Sequence, residues 1–188
     1  MQTTYRRNRF YAWLCVLVVI TSPVSISYAA SSWHWLPYRG QVGIRLVDRT
    51  YNLKLSSSTV GIYLDDNRHR IQGRDYISLL QVSYSNPETP EGRCGAGREV
   101  WLLVFEEKES KLEERLKVLV SSCLHSILLA SQNTGEEDQD NDFSSVRWNA
   151  DGISVDWFQN VDSAGRLLAR TNYLVRDAIF LTNDTARN

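Results

Sequence analysis

Two short stretches of this chain combine residue types that could do chemistry. The first is Gly92-Arg93-Cys94-Gly95-Ala96-Gly97-Arg98-Glu99. Gly95 and Gly97 could present backbone N–H groups, and Arg93 and Arg98 two guanidinium groups, to a bound anion. The stretch is no dinucleotide fingerprint, because Val100 stands where a third glycine is needed. It is no P-loop either, lacking Gly-Lys-Ser/Thr. Without a ligand, the same glycines simply let the backbone turn beside Cys94 and enter the next strand. The second stretch is Glu136-Glu137-Asp138-Gln139-Asp140-Asn141-Asp142. Its alternating carboxylates suit Ca²⁺, but an EF-hand loop beginning at Asp138 needs Gly at 143 and Glu at 149, where the chain has Phe143 and Asn149. A solvated, self-repelling loop and a docking patch for a basic protein are the remaining readings.

Other reactive groups are scattered. His34, His69 and His125 have no second ligand at metal-binding spacing, and His-Glu-x-x-His is absent. The Gly-x-Ser-x-Gly elbow of serine hydrolases is missing. Acidic residues are numerous, but nothing singles out a glycosidase pair. Trp33, Trp35 and Tyr38 near one end, with Trp148 and Trp157 further on, suit either a binding hot spot or core packing. Asn183-Asp184-Thr185 is a formal glycosylation sequon, relevant only in a eukaryote. The candidates are therefore Trp33, Trp35, Glu136, Glu137, Asp138, Asp140 and Asp142 for a partner, and Arg93, Gly95, Gly97 and Arg98 for an anion. No catalytic residue, metal or cofactor is assigned.

The N-terminal residues bear on the compartment. Arg6, Arg7 and Arg9 precede an apolar run from Phe10 to Ile20, and Ser27-Tyr28-Ala29 then places small residues at −3 and −1. These are the three parts of a cleavable signal over residues 1–29. The rival, an uncleaved anchor, needs roughly 20 continuous apolar residues, and the run is shorter. The whole chain holds 21 Lys+Arg against 22 Asp+Glu; removing three Arg with the signal leaves 18 against 22, a net charge of −4. Such a domain has no general attraction to nucleic acid or anionic lipid. Two cysteines remain, Cys94 and Cys123, and in an oxidising compartment two cysteines of one small domain usually pair.

The elements that must position these residues read as strands. Val42, Ile44 and Leu46 alternate with Gly43, Arg45 and Val47, and Tyr51–Leu55, Val60–Leu64 and Tyr76–Tyr84 follow the same period. Val100–Phe105 is an apolar run of strand length. Residues 106–119 are open between a short helix, favoured by Glu, Lys and Leu content, and a hairpin. The hairpin is supported by geometry: the midpoint between Cys94 and Cys123 falls between Lys108 and Glu109, so a reversal there brings the cysteines opposite each other. Asp151-Gly152 between two β-rich runs signals another hairpin. About nine short strands result, with turns every 8–14 residues. The expected fold is all-β, an antiparallel sandwich or barrel. The expected plan is an irregular lead-in at 30–40, one β domain over 41–182 and a frayed tail at 183–188.

The segment Arg93–Glu99 followed by an apolar strand, and the stretches Phe143–Trp157 and Gly165–Phe180, resemble a pattern in small uncharacterised exported proteins of Gram-negative bacteria. The resemblance implies a periplasmic home and carries no activity. In general style the chain also resembles lysozyme inhibitors and toxin-immunity proteins, without their specific motifs. The expected function is a periplasmic protein-binding domain, an inhibitor or immunity protein. The alternatives are an envelope-polymer hydrolase and a structural part of an envelope complex. The sequence does not indicate an oligomeric state.

Overall fold

The computed structural model describes residues 33–45 and 49–187, and over them the period-two pattern folds as antiparallel strands. The signal expected at residues 1–29 lies outside the described residues. The strands are β1 (Trp33–Pro37), β2 (Val42–Arg45), β3 (Thr50–Leu53), β4 (Thr59–Asp65), β5 (His69–Ile71), β6 (Arg74–Tyr84), β7 (Arg98–Lys108) and β8 (Lys111–Ser122). They continue with β9 (Leu128–Leu129), β10 (Val146–Asn149), β11 (Gly152–Gln159), β12 (Leu168–Arg176) and β13 (Ile179–Ala186). Two single-turn 3₁₀ helices, Ala130–Gln132 and Gln139–Asn141, sit between β9 and β10.

Three layers follow from which faces are apolar. One sheet has the order β1-β4-β6-β7-β8, with β5 on β6; a second has the order β10-β11-β12-β13, with β9 on β11; β2 and β3 form a separate hairpin. On β6, Tyr76, Leu80 and Val82 point into a core shared with Ile153, Val155, Trp157 and Val175 of the second sheet. The intervening Ile77 and Leu79 join Val42, Ile44 and Tyr51 of the β2–β3 hairpin in another core. Because successive side chains alternate faces, a strand covered on both sides must be apolar almost throughout. That is why β6 and β7 read as near-continuous runs.

Residues 106–119 form a hairpin, not a helix. Lys108 pairs with Lys111 across a two-residue turn, and Glu109 takes φ 55° there. Helix propensity loses because both flanks find ladder partners on one sheet. Cys94 and Cys123 are joined, with an S–S distance of 2.02 Å and Cα atoms 5.7 Å apart, a bond that persists in oxidising, non-cytoplasmic surroundings. No helix among the described residues is long and apolar enough to cross a membrane. The β10–β11 turn is centred one residue earlier than Asp-Gly suggests, since Asn149 pairs with Gly152. Gly152 is instead needed for close approach: a Cβ there would stand 1.9 Å from the Tyr173 carbonyl oxygen.

Both ends of the expected domain need correction. Residues 33–37 of the presumed irregular lead-in form β1, paired with β4 from Trp33↔Asp65 to Pro37↔Gly61. The presumed frayed tail is strand to Ala186, paired back to Leu168 on β12. Neither segment has clean alternation of its own. Each is ordered by the open edge of a neighbouring strand, whose backbone groups need partners.

Candidate functional site

The two chemistry-bearing stretches, about forty residues apart in sequence, meet at one cleft of about 510 Å³. Its walls are the Ala96–Arg98 entry to β7, the Ser121–Cys123 end of β8, and the loop carrying Glu136, Asp138 and Asp140. Tyr63 of β4 closes one side. The link between the stretches is Asn141, whose Oδ1 accepts a hydrogen bond from Arg98 Nη1 at 3.0 Å and from the Tyr63 hydroxyl at 2.7 Å.

The acidic loop is braced by hydrogen bonds, while most of its carboxylates stay exposed. Gln139 Oε1 accepts from the backbone N–H groups of Thr134 and Gly135, each at 2.9 Å. Gln132 Nε2 donates to the Asp140 carbonyl at 3.0 Å, and Ser131 Oγ to the Asp142 carbonyl at 2.7 Å. The five acidic candidates then separate. Glu136, Asp138 and Asp140 are exposed and line the cleft. Glu137 is exposed but does not line it. Asp142 turns back, its Oδ1 accepting from Ser144 N at 2.8 Å.

The glycine-rich stretch does not form an anion nest. Gly95 N donates to the Gly92 carbonyl and Gly97 N to the Cys94 carbonyl, both at 3.0 Å, so the N–H groups an anion would take are already used. The glycines serve packing: a Cβ on Gly95 would stand 1.9 Å from the Pro90 carbonyl oxygen, and one on Gly97 2.7 Å from Cys123 Cβ. Arg93 is exposed and does not line the cleft. Arg98 alone reaches it.

Trp33 and Trp35 also part company. Trp33 packs against the main core. Trp35 is 45% exposed and lies flat over Gly61, where a Cβ would be 2.0 Å from its Cη2 atom. Its ring centroid is 4.9 Å from that of Tyr63, which is 4.7 Å from Phe143. An aromatic ladder thus runs from an exposed tryptophan to the cleft wall. Tyr63 and Asn141 escaped sequence reading, because a lone Tyr in a strand and a lone Asn in an acidic loop carry no spacing signal.

A second cluster resembles a catalytic triad by composition only. Asp65 Oδ2 meets His69 Nε2 at 2.7 Å and accepts from Ser78 Oγ at 3.3 Å. Serine and histidine therefore engage the same carboxylate oxygen, whereas a nucleophile must donate to the histidine. Ser78 is buried and accepts from Trp148 Nε1 at 3.0 Å, and His69 stacks on Trp148 at 4.4 Å. The cluster is a clamp between the two sheets.

Carboxylates held below their usual range make folding acid-sensitive. Burial works to raise the Asp65 carboxyl, but hydrogen bonds from His69 and Asn67 overcome it and hold it below the usual range. Burial likewise opposes, and Arg74 and Arg115 prevail, at Glu106. At Asp156 the prevailing groups are Arg170 and Arg147. A carboxyl lowered in the folded state stabilises fully above its unfolded pKa, and that stability is lost as pH falls through the lowered one. The urea midpoint is therefore expected to stay level near neutrality and to drop below about pH 5, as the unfolded chain takes up protons first. Asp65→Asn should shrink that drop, while lowering stability at neutral pH.

The cleft is a polar, acid-rimmed recess with one guanidinium, three hydrogen-bonded amides and an aromatic flank, held by the disulfide on one wall. No protein-family model, curated protein or solved structure matches this chain.

Proposed function

We propose that the chain is an exported, periplasmic protein-binding domain whose cleft receives a cationic segment of a partner, in the manner of an inhibitor or immunity protein. The observation that carries this reading is the braced acidic rim. Glu136, Asp138 and Asp140 are exposed on a loop whose backbone is already held by Gln132, Gln139 and Ser131. Binding a partner there orders little further chain, which lowers the entropic cost of association. Three like charges around one recess steer a basic segment to it. Trp35 and Tyr63 supply the rigid aromatic surface typical of interface anchors. The disulfide and the net charge of −4 expected after signal removal agree with an extracytoplasmic home and a basic partner.

A hydrolase reading draws on the same carboxylates in the same cleft. A glycosidase acid must be sheltered to stay protonated, however, and Glu136, Asp138 and Asp140 are exposed. Their exposure supports binding.

The test is a crosslinking pull-down from periplasm with the tagged exported chain, repeated with E136K, D138K and D140K combined. One stoichiometric basic partner is expected, bound on the order of 100-fold more weakly by the reversed variant and more weakly at high salt. An empty lane, or a partner indifferent to the reversal, would overturn the reading.

A further inference from the structure

We infer that β13 is a self-association edge, through which a second copy of this chain extends the second sheet. Among the described residues the two strand orders end in four strands, beside the short β5 and β9, and three of the four carry devices that block strand addition. β1 spans five described residues and ends in Pro37. β8 carries Lys111, Glu113, Glu114, Arg115 and Lys117, and its pairing with β7 shifts register twice. β10 has four residues, including Arg147.

β13 has fewer of these guards, a single register shift against β12 between Leu168 and Arg170. It runs eight residues with no Pro, Lys or Arg, and is paired to β12 along its inner side. Its outer side pairs with no strand among the described residues. Every residue except Phe180 is exposed, with Ile179 at 61% and Leu181 at 51%. The strand is also tied to its own sheet by side-chain and backbone hydrogen bonds. Trp157 Nε1 donates to Thr171 Oγ1 at 2.9 Å, and that hydroxyl donates to Asp184 Oδ1 at 2.6 Å. Arg187 N donates to the Leu167 carbonyl at 2.8 Å.

Charge favours a second copy as the occupant. Asp184 is the one charged residue of the strand. In an antiparallel pairing centred on Thr182, Asp184 faces Phe180 and Leu181 faces Asn183. No like charges oppose each other, and the two Leu181 side chains become diagonal neighbours about 7 Å apart. The same pairing brings Arg187 to the end where the partner's Asp177 lies. Such an interface is isologous and closes as a two-fold dimer, joining two five-stranded sheets edge to edge, as in strand augmentation.

Sedimentation equilibrium of the exported chain, from low micromolar to sub-millimolar concentration, tests this. A monomer–dimer mass shift is expected, and Leu181→Lys should raise the dimer dissociation constant by about tenfold or more. Asn183→Lys, also on the exposed strand, should do the same. The thermal melt of each variant, recorded under dissociating dilution, should match that of wild type. A monomer at the highest concentration would overturn the inference. So would a dimer unmoved by both lysines, or a monomer whose edge binds only a foreign protein in a lysine-sensitive way. The cleft variants leave β13 untouched, so failure here is distinguishable from failure of the proposed binding function.

Discussion

Trp157→Ala is expected to lower stability by about 3–5 kcal/mol, the range for truncating a large buried aromatic. Trp157 is 2% exposed in the main core and opposes Leu129 of β9. Its Nε1 begins the hydrogen-bond relay through Thr171 to Asp184 that crosses β11, β12 and β13. The Arg187 guanidinium, from beyond β13, donates to its carbonyl at 2.6 Å. Truncation thus opens a cavity and leaves the buried Thr171 hydroxyl without its donor. Domains of this size have a total stability of roughly 5–15 kcal/mol, so the variant should be largely unfolded at moderately elevated temperature. Trp157→Phe separates the two contributions: it keeps most of the volume and loses the donor, at a cost of about 1 kcal/mol. Urea titrations of the three proteins measure both. Equal losses for Ala and Phe would show that the relay, and not ring packing, dominates at this position.

Removing the disulfide should have the second-largest effect. Cys94 and Cys123 are 29 residues apart, and the chain-entropy relation gives roughly 3–4 kcal/mol for closing such a loop. For a domain of this length, that corresponds to a fall in melting temperature on the order of 10 °C. Cys94→Ser with Cys123→Ser should show this fall in calorimetry and be indifferent to reductant. Wild type should reach the same melting temperature when reduced. A functional consequence follows from position. Cys123 forms part of the cleft wall, and Cys94 holds φ 61° beside Gly95, a backbone region that non-glycine residues rarely occupy. Without the crosslink, the Gly92–Gly97 turn and the Arg98 side chain lose their anchor. Partner binding at the cleft should weaken even at temperatures where the β core remains folded. Undiminished binding by the double-serine variant would place the recognition surface elsewhere.

Much of the architecture was legible from local pattern. Alternation at Val42–Val47 and Tyr76–Tyr84, turn residues at Asp151-Gly152, and the separation of two cysteines around a polar reversal are all short-range signals. A strand's two faces and a tight turn's backbone are set within a few residues, so the sequence alone determined an all-β, disulfide-bonded domain. It could not determine partners in space. β1 and the Asn183–Ala186 end of β13 became strand because an adjacent strand offered unpaired N–H and carbonyl groups, a condition invisible in their own residues. The helix–hairpin ambiguity at 106–119 was likewise resolved by β6 lying alongside β7. The site shows the same division. Arg98 and the acids at 136–140 were visible as residue types, but only the sheet order places them around one recess with Tyr63 and Asn141. The N–H groups of Gly95 and Gly97 are taken by local turn bonds to Gly92 and Cys94, which residue types alone do not reveal. Local alternation determines which face a side chain takes, whereas long-range strand pairing decides what that face meets.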